Sequence, residues 1–276
     1  MIKLIATDMD GTFLDERGSF DRARFERILS GLEDRQIPFV VASGNGMERL
    51  LKLFEGFEDR IIFVAANGAH LYEKGMTKVQ KTLSLQAIDA ILNYYKGHLT
   101  DYCVMLGTET SIYMQEGAVR PFDGHTSIEP QQLEAFLRRI SFLPDLTHYP
   151  KTRTVYKAGL WVKEELVDDV VARFNQQFLG EMEAVTSGYG SIDILPAGIH
   201  KAWGLEQILK ELAIRPEEVL AFGDSDNDLE LLSYAGYSYA MANAHERVKR
   251  AAKYQAPSHR EAGVMTVIEE LLFGNK

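Results

Sequence analysis

Ile2 to Thr7 form a short apolar run broken only by Lys3, and Asp8, Met9, Asp10, Gly11 and Thr12 follow it without a gap. A run of that length reads as a buried strand, which places Asp8 at its carboxyl end. In open parallel sheets that edge is where ligands bind. Two carboxylates at i and i+2, followed by a glycine that lets the chain turn, can reach two sides of one reacting atom. One presents an oxygen to a metal or an electrophile, and the other works from the far side. The alternative is a capped turn, since Asp, Gly and Thr are ordinary turn residues after a strand. The two readings separate on whether other strand ends converge at the same edge.

The chain that follows supplies those ends. Phe20, Phe25, Ile28, Leu29 and Leu32 recur at roughly helical spacing, and Pro38 to Ala42 form the next apolar run. A strand, helix, strand unit implies a parallel sheet with a right-handed crossover, so Ser43, Gly44, Asn45 and Gly46 fall at the same edge as Asp8. A helix with Met47, Leu50, Leu51 and Phe54 on one face begins there. A third strand, Arg60 to Ala66, ends in Asn67 and Gly68, and residues 71–81 read as a hairpin around Glu73, Lys74 and Gly75.

From about Leu83 the pattern changes to helices near residues 84–97, 130–139 and 164–179, mixed with strand-like stretches at 102–106, 111–114, 155–162 and 183–186. Gly188, Gly190, Pro196 and Gly198 around Ile192, Ile194 and Leu195 read as hinge or linker sequence. The first pattern then resumes, with a helix over 201–212, a buried strand at Val219 to Phe222 and the acidic turn Gly223, Asp224, Ser225, Asp226, Asn227, Asp228. The expected architecture is α/β, a Rossmann-like core with a parallel sheet (1–82 and 196–276) interrupted by an inserted α+β cap (83–195).

Composition narrows the function. Thirty basic against forty acidic residues, a net charge of −10, argue against a nucleic-acid or anionic-membrane surface. Cys103 is the only cysteine, which excludes an intrachain disulfide and a cysteine zinc site. With no signal-like start and no apolar run of membrane length, a cytoplasmic location is expected. The seven histidines, His70, His98, His125, His148, His200, His245 and His259, show no ligand spacing and read as surface or capping residues.

Asp8 and Asp10, Ser43, and Asp224 to Asp228 thus end three strands at one edge, and Lys201 opens a helix leading back to it. Together they match phosphoryl transfer, which needs a nucleophile, a charge screen for the phosphoryl oxygens and an acid for the leaving oxygen. A carboxylate facing a phosphate is repelled unless a hard cation intervenes. Mg²⁺ suits that role, with Asp8 and Asp224 as its carboxylates. Alone, Lys201 would read as a solvated helix start.

In this arrangement the chain resembles the haloacid dehalogenase-like (HAD) hydrolases. Asp8 to Thr12 resembles their first motif, Ser43 the second, Lys201 the third and Gly223 to Asp228 the fourth. Asn67, Gly68 and Ala69, the large insert, and Asp193, Pro196 and Lys201 in sequence resemble the Cof-type subfamily with an α/β cap. Residues 40–45, 186–190 and 200–202 look most like bacterial sugar phosphatases of the SupH kind. The resemblance implies that Asp8 attacks phosphorus and becomes an aspartyl phosphate, while Asp10 protonates the leaving alkoxide and then takes the proton of the hydrolytic water. It implies Mg²⁺ held by Asp8, the Asp10 backbone carbonyl and Asp224, with Asp228 behind them on metal-bound water. Met9, Gly11, Ser43, Gly44, Asn67, Lys201 and Asn227 would surround the phosphate, and Lys201 would screen both Asp8 and the transferring group.

The chain departs from the usual Cof-type pattern at Asn45 in place of Arg, Asp193 in place of Glu and Ala202 in place of Gly. Substrate choice is expected in the cap, where Arg153, Tyr156, Trp161, Tyr189 and Asp193 are candidates to line a sugar-sized pocket. The substrate is expected to be a small phosphorylated metabolite, most often a sugar phosphate. Two rival readings share the motifs: a phosphomutase, and a non-catalytic module that holds phosphate on Asp8 as a signal.

Overall fold

The computed structural model describes residues 1–108, 110–119, 121, 130–188 and 190–274. The chain runs through β1 (Leu4–Thr7), α1 (Arg22–Glu33), β2 (Phe39–Ala42), α2 (Met47–Leu53), β3 (Ile61–Ala65), β4 (His70–Glu73) and β5 (Met76–Gln80). It continues with α3 (Leu85–Tyr94), β6 (Met105–Gly107), β7 (Ile112–Gln115), α4 (Pro130–Arg138), β8 (Ile140–Leu143), β9 (Lys157–Trp161), α5 (Val167–Gln177), β10 (Met182–Gly188) and β11 (Ser191–Pro196). It closes with α6 (Lys201–Leu212), β12 (Val219–Gly223), α7 (Leu229–Tyr234), β13 (Tyr237–Met241), α8 (Glu246–Ala251), β14 (Tyr254–Ala256) and α9 (Gly263–Phe273). Two compact units result: Met1–Gln80 with His200–Lys276, and Lys81–Ile199.

The first unit is built on an eight-stranded sheet of order β14-β13-β12-β1-β2-β3-β4-β5. It is parallel from β14 to β3, and the β4–β5 hairpin adds an antiparallel edge. Its inner strands are apolar at successive positions because both faces are covered. Leu4, Ala6, Val40, Ala42 and Val64 pack on one face with Leu205 and Leu209 of α6. Ile5, Phe39, Val41 and Phe63 pack on the other with Phe25, Ile28 and Leu29 of α1. Phe13 meets Phe25 edge-on with ring centroids 5.3 Å apart, which pins the loop after β1 to this core. Among the described residues, no helix is long and apolar enough to cross a membrane.

The inserted unit carries a mixed sheet of order β10-β11-β9-β6-β7-β8, antiparallel except at β7–β8. Ile88 and Ile91 of α3 and Val170 and Phe174 of α5 pack against Ala158, Leu160, Ile192 and Ile194. Strand alternation turns Lys157, Gly159, Trp161 and Asp193 to the opposite face. The linker reading of residues 188–198 is therefore corrected. Ile192 and Ile194 sit in β11, paired on both sides by β9 and β10, with Gly188 ending β10 and Gly190 and Gly198 in the turns on either side of β11. Two short strands, β8 and β14, went unanticipated because three or four residues give too little alternation to register. Conversely, residues 102 and 103, expected in a strand, lie in a turn before β6.

Close backbone approach sets the start of α6. A Cβ on Gly68 would lie 2.2 Å from the His200 carbonyl oxygen, and one on Gly204 would lie 2.5 Å from Val64 Cγ1 and 2.9 Å from Gly68 Cα. The missing side chains let α6 lie against the turn after β3, with Lys201 as its first residue. Gly204→Ala tests this packing. Alanine favours a helix by about 1 kcal/mol, but overpacking a tight contact costs about 1–3 kcal/mol, and the atoms in the way are backbone and a β-branched side chain. The variant is expected to melt lower than wild type in thermal unfolding. A melting temperature equal or higher would show that the helix slides freely at this point.

Candidate active site

The turn after β1, the loop after β2, the turn after β3, the start of α6 and the turn after β12 all lie at the carboxyl edge of one sheet. Lys201 is at their centre. Its Nζ donates to Asp8 Oδ1 at 2.6 Å and to Asp228 Oδ1 at 2.7 Å, and the side chain has 0% exposure. Asp228 Oδ2 accepts the backbone N–H groups of Asp224 (3.0 Å) and Ser225 (3.1 Å), so both of its oxygens are engaged. Thr12 Oγ1 donates to Asp224 Oδ1 at 2.9 Å. Gly11 has φ +76°, and a Cβ there would lie 2.4 Å from Asp224 Oδ2. Only glycine lets the turn after β1 close onto that carboxylate.

One ammonium faces three carboxylates here. Burial would favour neutral Lys201, but the charges of Asp228 and Asp8 more than offset it and hold its pKa above the usual value. Burial pushes Asp8 up, against the pull of Lys201 and reinforced by Asp228 and Asp224. Burial, with Asp228 adding to it and the Thr12 hydroxyl opposing, raises Asp224 to about 7. One carboxylate oxygen each of Asp8, Asp224 and Asp228 lies within 4.8 Å of the other two. An all-oxygen donor set with excess negative charge fits a hard divalent cation. The group contains no histidine, consistent with the surface and capping roles seen at His98, His148 and His200; His125 lies outside the described residues.

Ser43, Gly44, Asn67 and Asn227, expected around the phosphate, follow β2, β3 and β12 at this same edge. Ser43 is fixed by its N–H on Val64 O (2.9 Å) and by the Asn67 N–H on its own carbonyl (2.9 Å). Asn67 adopts φ +52°, where its side chain accepts from Asn227 Nδ2 at 3.0 Å. Asn227 Oδ1 is buried without a partner among the described residues. Met9 is fully buried in the core beneath the sheet edge, which leaves only its backbone to face a ligand. The Asp10 side chain is bonded by Arg49 and Asn45. Arg49 Nη1 and Nη2 grip its two oxygens at 2.9 and 2.7 Å, and Asn45 Nδ2 adds a bond of 2.6 Å. Surrounding protein atoms work to raise its pKa, but the Arg49 charge and the hydrogen bonds of Arg49 and Asn45 outweigh them and lower it.

The sequence pattern of the haloacid dehalogenase-like hydrolases matches residues 5–268. The chain belongs to that family. This hydrolase is 32% identical to the Escherichia coli 5-amino-6-(5-phospho-D-ribitylamino)uracil phosphatase YbjI over 98% of this chain and 96% of that protein. A Bacillus subtilis phosphatase of the same activity, YcsE, is 25% identical over 97% of this chain and 94% of that protein. The crystal structure of SMU.1108c from Streptococcus mutans superposes with a TM-score of 0.90 at 36% identity, covering 99% of both chains. The hydrolase is a Cof-type phosphatase of phosphorylated metabolites, a phosphoric monoester hydrolase.

Four polar residues of the site had no role assigned from the sequence, although Thr12 lies in the first motif and Asn45 marks a departure from the family pattern: Thr12 on Asp224, Asn45 and Arg49 on Asp10, and Asn243, whose Nδ2 donates to Gly11 O at 2.8 Å. Arg49 lies one helical turn after Asn45, a spacing that could have linked the two; nothing local marks Asn243. In the inserted unit, Asp193 is buried and pairs with Lys157 at 2.8 Å, and Trp161 packs beside Met105 and Met114. Arg153 is exposed and Tyr156 half-buried, and Tyr189 lies outside the described residues.

The raised Asp224 pKa has a sign that can be tested. The native state binds this proton more tightly than the unfolded chain, whose carboxyl keeps a value near 3.8. The contribution is therefore fully present below that value and lost as pH rises towards about 7. In chelator, the melting temperature of wild type relative to Asp224→Asn should fall between pH 5 and pH 7.5. A constant difference across that range would contradict the raised value.

Proposed function

We propose that this phosphatase is Mg²⁺-dependent and hydrolyses sugar or sugar-alcohol phosphates through an aspartyl phosphate on Asp8. The observation that carries the reading is the buried Lys201 held between Asp8 and Asp228 at the end of β1. The Lys201 charge opposes the burial that raises the Asp8 pKa, and its bond aims that carboxylate from within a low-dielectric edge. The donor set fits Mg²⁺ held by Asp8, the Asp10 backbone carbonyl and Asp224, with Asp228 behind them. When bound, the ion screens the charge of the phosphoryl oxygens.

Asp8 attacks phosphorus; a P–O bond to Asp8 forms as the ester P–O bond breaks, its electron pair leaving on the sugar oxygen. Asp10 gives that oxygen a proton. Arg49 holds the Asp10 pKa low, and an arriving phosphate dianion favours its protonated form. Water then attacks phosphorus and passes a proton to Asp10, and the bond to Asp8 breaks to release inorganic phosphate. Ser43, Gly44, Asn67, Asn227 and the backbone at Met9 and Gly11 receive the phosphoryl oxygens, and Lys201 screens them. The substrate class draws on the relatives YbjI and YcsE, named for a substrate whose phosphate is carried on a ribityl group.

The test is phosphate release from hexose phosphates, pentose phosphates and 5-amino-6-(5-phospho-D-ribitylamino)uracil, with Mg²⁺ or chelator, for wild type and Asp8→Asn. Release that needs Mg²⁺ and falls at least about a thousandfold in the variant is expected. Full activity in chelator, or in Asp8→Asn, would refute the mechanism. Activity confined to phosphates without a sugar or polyol chain would refute the substrate class.

A further inference from the structure

Arg49 stands on the first turn of α2, three residues after its N-cap Gly46. Positive charge is disfavoured at a helix N-terminus by the helix dipole, so a cation there needs a partner. The partner is Asp10. The guanidinium makes two parallel bonds, Nη1 to Oδ2 at 2.9 Å and Nη2 to Oδ1 at 2.7 Å. Such a fork fixes the plane of a carboxylate as well as its distance. Asn45 completes the arrangement. Its Nδ2 lies 2.6 Å from Asp10 Oδ2 and 2.9 Å from Ser43 Oγ, and its Oδ1 accepts from Arg49 Nη1. Ser43 is itself held by β3 and the turn after it.

Asp10 has need of such support. It sits on the turn after β1, with 44% of its side-chain surface exposed, against 8% and 0% for the buried Asp8 and Asp228. An exposed ion pair of this kind contributes little to stability. Its geometric effect is larger: it ties the direction of one carboxylate to the frame that holds Ser43.

We infer that Arg49 is a positioning residue for the phosphatase reaction, aiming the Asp10 carboxyl at the ester oxygen that departs from phosphorus. This rests on the reading of Asp10 as the acid that protonates that oxygen. A loosened Asp10 should harm only reactions whose leaving oxygen needs a proton. A sugar alkoxide needs one, and p-nitrophenolate does not.

The experiment compares kcat and KM of wild type, Arg49→Met, Arg49→Lys and Asp10→Asn. The substrates are p-nitrophenyl phosphate and the sugar phosphate that wild type turns over fastest. Arg49→Met is expected to lose about 10- to 100-fold in kcat on the sugar phosphate, far more than on p-nitrophenyl phosphate, with KM little changed. Arg49→Lys, which keeps the charge but lacks the fork, should fall between. Asp10→Asn should show the same selectivity more strongly. Equal losses on both substrates in Arg49→Met, or a rise in KM alone, with Asp10→Asn still selective, would overturn the positioning role and make Arg49 a structural or phosphate-binding residue. An unselective Asp10→Asn would instead overturn the acid role of Asp10, and the inference with it.

Discussion

The buried ammonium of Lys201 is the interaction on which the rest of this site depends. Removing such a charge from water is costly, and it persists because two carboxylates meet it at 2.6 and 2.7 Å. Those carboxylates come from chain positions separated by about two hundred residues, after β1 and after β12. Three segments must therefore be in register before the charge is compensated. The adjacent pairing of β1 with β12 and the two glycines that let α6 lie against the turn after β3 supply that register.

Around the ammonium the charges are arranged in two tiers. The inner carboxylates, Asp8, Asp224 and Asp228, are crowded and desolvated, and together exceed the one cation between them. Asp8 and Asp224 respond with raised pKa values, the signature of a donor set suited to a hard cation. Asp10, two residues beyond Asp8, is half-exposed and is held ionised by Arg49. Two carboxylates so close in sequence have opposite electrostatic environments because the turn at Gly11 directs one towards Lys201 and leaves the other beside α2. A difference of this kind lets neighbouring acids carry different tasks.

Much of this was legible beforehand. Strands buried on both faces leave uninterrupted apolar runs, so β1, β2, β3 and β12 could be read together with the polar residues that close them. The inserted unit was harder. Its β11 lies between glycines and prolines that also mark linkers, and a six-residue strand flanked by turn residues does not differ locally from a hinge. What makes it a strand is its pairing with β10 across a tight turn and with β9, which is remote in sequence. Arg49 and Asn243 were missed for a related reason: each acts on a backbone or side-chain group more than thirty positions away, and neither belongs to a contiguous motif.

The sequence by itself determined the alternation of strands and helices, the place of the insertion and the acids, serine and lysine that end or follow the strands, because these depend on periodicity and on neighbours along the chain. The tertiary structure alone decided which oxygens Lys201 engages, that Asp228 is saturated while Asp224 is pushed towards neutrality, and that Asp10 is gripped by an arginine from another element. Those outcomes depend on distance and burial among residues remote in sequence, and electrostatic energy inside a protein is set by both.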